Sequence, residues 1–241
     1  MLTDLQKRAA QAIVNVFETG SPRGNHSSVT VIPGDAGRLT YGRTQATLAS
    51  GALHQLIKAY CECPEARYGR QLRGYLGRLA ACDHSLDRDA ALHSLLRAAG
   101  ADPAMQAVQE RFFERRYWCP AVATAAGMGL STALGVAVVY DGRVHGSWQL
   151  LRNRTTRKHG TARAVGERSW LRSYVAERRA WLASRAEPLC HAVYRMDAFR
   201  KLMDEDNWDL HLPFSVRGVV IDAKALEGVC AAHGLQRSSR R

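Results

Sequence analysis

Two carboxylates near the start of the chain have the residue types and spacing for acid–base work. Glu18 closes a helical pattern, and Asp35 lies in the glycine-rich bend of FETGSPRGNHSSVTVIPGDAGRLTYG, with Thr40 and Tyr41 just beyond. Splitting a glycosidic bond takes one carboxyl that keeps its proton for the leaving oxygen and another that is ionised and activates water. At a helix C-terminus Glu18 faces the negative end of the macrodipole, which disfavours its anion, and Val16 and Phe17 add desolvation. Asp35 sits among Gly34, Ala36 and Gly37, where backbone amides and Arg38 can stabilise a negative charge and small side chains leave room for water. The Thr40 hydroxyl could hold that water, and Tyr41 is the candidate for a sugar contact. A Glu near a helix end and an Asp in a turn are also common solvated placements, so the pair alone leaves the ordinary surface reading open.

The elements that must position this pair follow from periodicity and turn chemistry. Thr3 or Asp4 caps a first helix with Leu5, Ala9, Ile13 and Val16 on one face, ended by Gly20 and Pro22. SSVTVI and RLTYG flank Pro33-Gly34-Asp35-Ala36-Gly37 and predict a small hairpin with Asp35 in its bend. Helical spacing then predicts helices near 44–60, 67–82, 87–99, 103–116, 120–140, 146–158, 167–184 and 187–204. NWDLHLPFSVRGVVID is extended, and a short helix near 222–233 precedes a basic tail, 235–241. The expected fold is α+β and mainly α, one domain over 1–234 with two lobes, a cleft and a small hairpin sheet lining it.

Composition narrows the partners. The chain has 241 residues, 46% of them hydrophobic, and a net charge of +12, which suits a globular protein drawn to an anionic partner. The run Ala121–Tyr140 has the length of a membrane span, but its Ala, Gly, Ser and Thr content predicts a buried central helix instead. Cys61 and Cys63 with Cys82 and His84 resemble a metal set, yet a helix between the pairs would hold them roughly 20 Å apart. No metal or organic cofactor is expected. Trp148, Trp170, Trp181 and Trp208 read as packing residues, His145 as structural, and the basic segment 151–168 as a solvated face rather than a nucleic-acid site.

The order of helix-ending Glu, a hairpin with GDAGRLTYG and a helix beginning TQATLASGALHQLIKAY resembles the start of the family 46 chitosanases and, more loosely, phage-type lysozymes. The likeness continues through MQAVQERFFERRYWCPAVATAAGMGLSTALGVAVVYDGRVHG, SWLRSYVAERRAWLASR, YRMDAF and NWDLHLPF, about residues 5–222. The resemblance implies a lysozyme-like fold, with Glu18 as general acid, Asp35 as general base and Thr40 as the residue that positions the water. It also implies an inverting reaction, with carboxyls roughly 6.5–9.5 Å or more apart. A buried ionic relay in that family falls here on Asp141, Arg178 and Arg195, which read equally well as an ordinary structural salt-bridge set.

The chain departs from the family where substrate is concerned. Its hairpin reads DAGRLTYGR in place of a DGRGYTGG type, with Arg43 adding to the positive charge, and its N-terminus lacks the apolar core of a secretory signal. Strong positive charge favours peptidoglycan over cationic chitosan. The expected function is therefore β-1,4 cleavage in peptidoglycan by an endolysin or injected effector, made in the cytoplasm and reaching the wall by lysis or a secretion machine. Chitosan is the alternative substrate. A non-catalytic cationic protein binding nucleic acid or wall polymer is the alternative of another class.

Overall fold

The computed structural model describes residues 2–43 and 45–227, so the expected tail at 235–241 and the later part of the last helix lie outside the described residues. The chain forms two compact units, one from residues 1–23 and 117–241, the other from 24–116.

The larger unit is built on two buried helices. In the first, Asp4–Thr19, Thr3 and Gln6 cap each other's amides, and Gly20 closes the last turn in the left-handed conformation. Residues 9–17 of this helix are buried, and it packs on the helix Ala133–Val144, buried from Ala133 to Gly142. The predicted 120–140 helix is in fact two, Cys119–Met128 and Ala133–Val144. Gly129 (φ 81) terminates the first, and the Thr132 hydroxyl caps the second by accepting from Gly135 N at 3.0 Å, so local stop and start signals override a continuous apolar run. Glu167 reinforces that start, accepting from the amides of Ser131 and Thr132, each at 2.9 Å.

The helix Glu167–Ala183 packs against Trp148–His159 and Val193–Asp204. Trp148, Trp170 and Tyr174 form one aromatic cluster between them, with Trp170 and Tyr174 stacked at 5.5 Å. Trp208 is likewise buried, so these side chains pack as the sequence predicted. The extended segment is a hairpin, Phe214–Val216 with Val219–Ile221, turning through Arg217 and Gly218, both at positive φ.

The smaller unit carries a three-stranded antiparallel sheet, Val29–Thr30, Thr40–Tyr41 and Ala46–Thr47. Its third strand occupies residues that the sequence placed at the start of a helix; that helix begins only at Ala52, after Gly51 (φ 71). The predicted 67–82 helix is likewise two short ones, Gly69–Arg73 and Leu76–Ala80. Helix Ala52–Cys61 packs on the third strand and on Pro103–Phe113. Asp102 caps the latter through Ala104 N at 3.1 Å and accepts the Tyr60 hydroxyl at 2.6 Å. No helix among the described residues is long and apolar enough to cross a membrane.

Gly42 bears the tightest constraint in the sheet. Its φ is 85°, and a Cβ there would lie 2.6 Å from Gln109 Oε1, the acceptor of the Arg43 amide. Gly42→Ala is therefore expected to lower stability by about 1–3 kcal/mol. A urea unfolding midpoint equal to that of the natural chain would contradict this.

Candidate active site

Glu18 sits in the last turn of the first helix, as its spacing predicted, with its side chain 12% exposed. Its surroundings differ from the apolar ones expected. Val16 and Phe17 are buried, but the Glu18 carboxylate meets a guanidinium: Arg195 Nη2 donates to Oε1 at 2.8 Å. The same guanidinium donates through Nε and Nη2 to Asp141 Oδ1 at 2.9 and 2.6 Å, and it lies 4.8 Å above the Phe17 ring. Phe17 is held in turn by edge contacts with Tyr194 and Phe199.

Asp141 is fully buried and accepts from a second guanidinium, Arg178 Nη1, at 2.5 Å on Oδ2. Glu18, Arg195, Asp141 and Arg178 therefore form one continuous chain of ion pairs, so the three supporting residues are joined to Glu18 rather than forming a separate salt-bridge set. Burial alone would raise the Asp141 pKa, but the charges of Arg195 and Arg178 outweigh it and bring it down to about 2. For Arg195 burial acts against the charge and is overcome by Asp141 and Glu18, so its pKa is raised.

His145 ends this chain. Its Nδ1 lies 3.2 Å from Arg178 Nη2, and its pKa is lowered to about 4 by burial and then by the charge of Arg195. A neutral ring with a donor against Nδ1 carries its proton on Nε2. The sequence read His145 as structural but did not point to Arg178, which lies on another helix; only the one-turn spacing of Asp141 and His145 hinted that they share a face.

In the smaller unit, Asp35 lies between consecutive turns, its amide donating to Ile32 O and its carbonyl accepting from Arg38 N. Gly37 gives the carboxylate space: a Cβ there would come within 3.1 Å of Asp35 Oδ2 and of Thr47 Cγ2. Thr40, in the central strand and 6% exposed, donates its hydroxyl to Arg38 O at 3.0 Å, which leaves Oγ1 lone pairs to accept a hydrogen bond.

Three expectations for this hairpin are corrected. Tyr41 is not placed to touch a sugar: it is fully buried, and burial raises its hydroxyl pKa. Arg38 does not direct its charge to Asp35; its guanidinium pairs with Asp87 at 3.4 Å and His84 Nδ1 at 3.1 Å, while Asp87 also accepts the Leu39 amide at 2.8 Å. Arg43 adds no surface charge, since it is 1% exposed and paired with Glu110 at 2.6 Å. Asp87, Gln109 and Glu110 were missed because each acts on the hairpin from far along the sequence.

The family model of glycosyl hydrolase family 46 matches residues 12–214. The chain belongs to glycosyl hydrolase family 46. A chitosanase of Bacillus subtilis (strain 168) is 28% identical and covers 88% of this chain and 82% of its own. Among solved structures, the native chitosanase of Bacillus subtilis MY002 superposes with a TM-score of 0.79 at 27% identity, covering 92% of this chain and 100% of that one. A family 46 chitosanase of Gynuella sunshinyii in complex with chitotetraose also gives 0.79 at 27%, covering 92% and 98%. The protein is thus a glycosidase that acts on a polysaccharide, with the mainly helical, lysozyme-like fold of this family.

The relay has consequences for stability. Asp141→Ala leaves two guanidinium ions facing a buried vacancy and is expected to cost about 3–5 kcal/mol, read as a lowered denaturant midpoint; loss under 1 kcal/mol would contradict the pairing. For His145, the unfolded chain binds a proton near pH 6.5 and the folded one only near 4, so stability falls as pH drops through that window. His145→Gln is expected to flatten that fall in melting temperature, and an unchanged slope would contradict a buried neutral ring. The Asp141 contribution has a different window, present above its ordinary value of 3.8 and lost as pH falls toward 2.

Proposed function

We propose that this family 46 glycosidase is an endo-chitosanase, hydrolysing β-1,4 bonds between glucosamine units with inversion. Glu18 is the general acid, Asp35 the general base, and Thr40 the residue that holds the attacking water. The observation that carries this reading is the Arg195 guanidinium shared between Glu18 and Asp141. When Glu18 gives its proton to the leaving oxygen, the resulting carboxylate meets a cation already in place, so no reorganisation accompanies the new charge. Asp141 tempers that cation, and Arg178 with His145 fixes Asp141.

The base side has a parallel logic. With its proton engaged by Arg38 O, the Thr40 hydroxyl accepts a hydrogen bond from water, leaving the water's other proton for Asp35. The hairpin charge also favours chitosan more than the net charge suggests. Both of its arginines are matched by carboxylates, Arg38 by Asp87 and Arg43 by Glu110, so the repulsion of a cationic polymer inferred from the whole chain does not act at Asp35. The chitosanases found as relatives support the same choice, whereas peptidoglycan rested on net charge, a hairpin that departs from the family type and the lack of a signal-like N-terminus.

The test is to incubate the protein separately with soluble chitosan and with purified peptidoglycan sacculi and to identify products by mass spectrometry. Glucosamine oligomers of several lengths are expected from chitosan; muropeptide release with intact chitosan would overturn the reading. Glu18→Gln and Asp35→Asn are each expected to lower kcat about 10²–10⁴-fold with folding preserved. Azide added to Asp35→Asn is expected to yield a glycosyl azide of inverted configuration. Near-natural turnover in either variant would remove that residue from the mechanism.

A further inference from the structure

The cations of the 151–168 segment divide into two groups. Arg154, Lys158 and His159 converge on one nearly buried carboxylate, Glu177, at 3.0, 2.6 and 3.2 Å, and Arg168 pairs with Asp206 at 2.8 Å. Arg152, Arg157 and Arg163 have no carboxylate partner among the described residues, and all three line one open cavity of about 600 Å³ within the larger unit. Asn153, Thr156 and Thr161 line it as well, with Gly127, Met128 and Ala162 as its apolar part. None of these residues belongs to the relay.

Two of the guanidiniums are held in place. Arg163 donates through Nη2 to Gly127 O at 3.1 Å, and its stem covers Gly129, where a Cβ would lie 3.2 Å from Arg163 Cγ. Arg152 donates through Nε and Nη2 to Asn153 Oδ1 at 3.0 and 2.8 Å. Guanidinium forks match the oxygens of a tetrahedral oxyanion, and hydroxyl and amide groups add neutral donors. No carboxylate lines the cavity to repel an anion, and no aromatic side chain lines it to stack a nucleobase.

We propose that this cavity is a binding site for a phosphate chain of the pyrophosphate class, separate from the glycosidase chemistry and independent of which polysaccharide is cleaved. The volume exceeds what a single phosphate fills, and three uncompensated guanidiniums match a ligand with several negative charges. The site also gives a location to part of the +12 charge that the hairpin does not use.

Isothermal titration of the full chain with sodium pyrophosphate at fixed ionic strength tests it. Saturable 1:1 binding is expected, with Arg157→Ala and Arg163→Ala each weakening Kd by about tenfold or more. A Cβ at Gly127 meets nothing within 4 Å, so Gly127→Leu projects a side chain into open space without altering charge, and it is expected to weaken binding as well. Arg70→Ala removes one exposed arginine of the other unit and is expected to leave Kd unchanged. The proposal is overturned by absence of saturable binding at millimolar pyrophosphate, by Arg70→Ala weakening it as much as Arg163→Ala, or by Gly127→Leu binding as the natural chain does. Single-stranded DNA bound more tightly than pyrophosphate, with the same loss in every arginine variant, would likewise identify diffuse charge rather than a site.

Discussion

A single buried carboxylate, Asp141, bridges two guanidiniums, and the arrangement of the larger unit follows from that constraint. Taking an ion out of water costs several kcal/mol, so Asp141 is tolerable at this depth only with both Arg178 and Arg195 in bonding geometry. Those arginines come from the helices Glu167–Ala183 and Val193–Asp204, and Asp141 from Ala133–Val144. Three helices are thereby fixed in register by charge, while the Trp148, Trp170 and Tyr174 cluster fills the neighbouring space. Glu18 is the fourth party, brought in by the first helix and held by the guanidinium that Asp141 has oriented.

The smaller unit handles its charges by the same rule. Arg43 enters its interior because Glu110 meets its guanidinium and Gly24 leaves room for its stem, while Gly42 lets Gln109 approach closely enough to accept the Arg43 amide. Arg38, at a φ of 61°, turns its side chain to Asp87 and exposes its carbonyl to Thr40. Net charge is thus a poor guide to the field at any one site. Cations are matched by carboxylates at the hairpin and on Glu177, whereas part of the excess behind the formal +12 gathers at the cavity of Arg152, Arg157 and Arg163. Reasoning from the total charge pointed to peptidoglycan; pairing residue by residue removes that argument.

Much of this was legible in the chain. The first helix, its glycine stop and the place of Glu18 follow from capping and spacing, and the helix Glu167–Ala183 was predicted nearly to its ends. The relay residues were legible through family likeness alone, since nothing local marks Asp141 as different from a helix-end aspartate. Illegible were the features set by partners distant in sequence: Asp87 under the hairpin, Glu110 on Arg43, His145 on Arg178. Tyr41 was misplaced because strand alternation says nothing of a short strand buried on both faces. The split at Gly129 was present in the sequence as a glycine followed by Ser131 and Thr132, a stop and a cap hidden within an apolar run.

The most direct measurement is a carboxyl ¹³C NMR titration of the protein labelled at aspartate, following Asp141 from pH 7 to pH 3. Two flanking guanidiniums predict a resonance that stays at the ionised position across that range, because the carboxyl protonates only near pH 2. A midpoint near 4 would mean that Asp141 does not carry the charge on which the orientation of Arg195, and through it Glu18, depends.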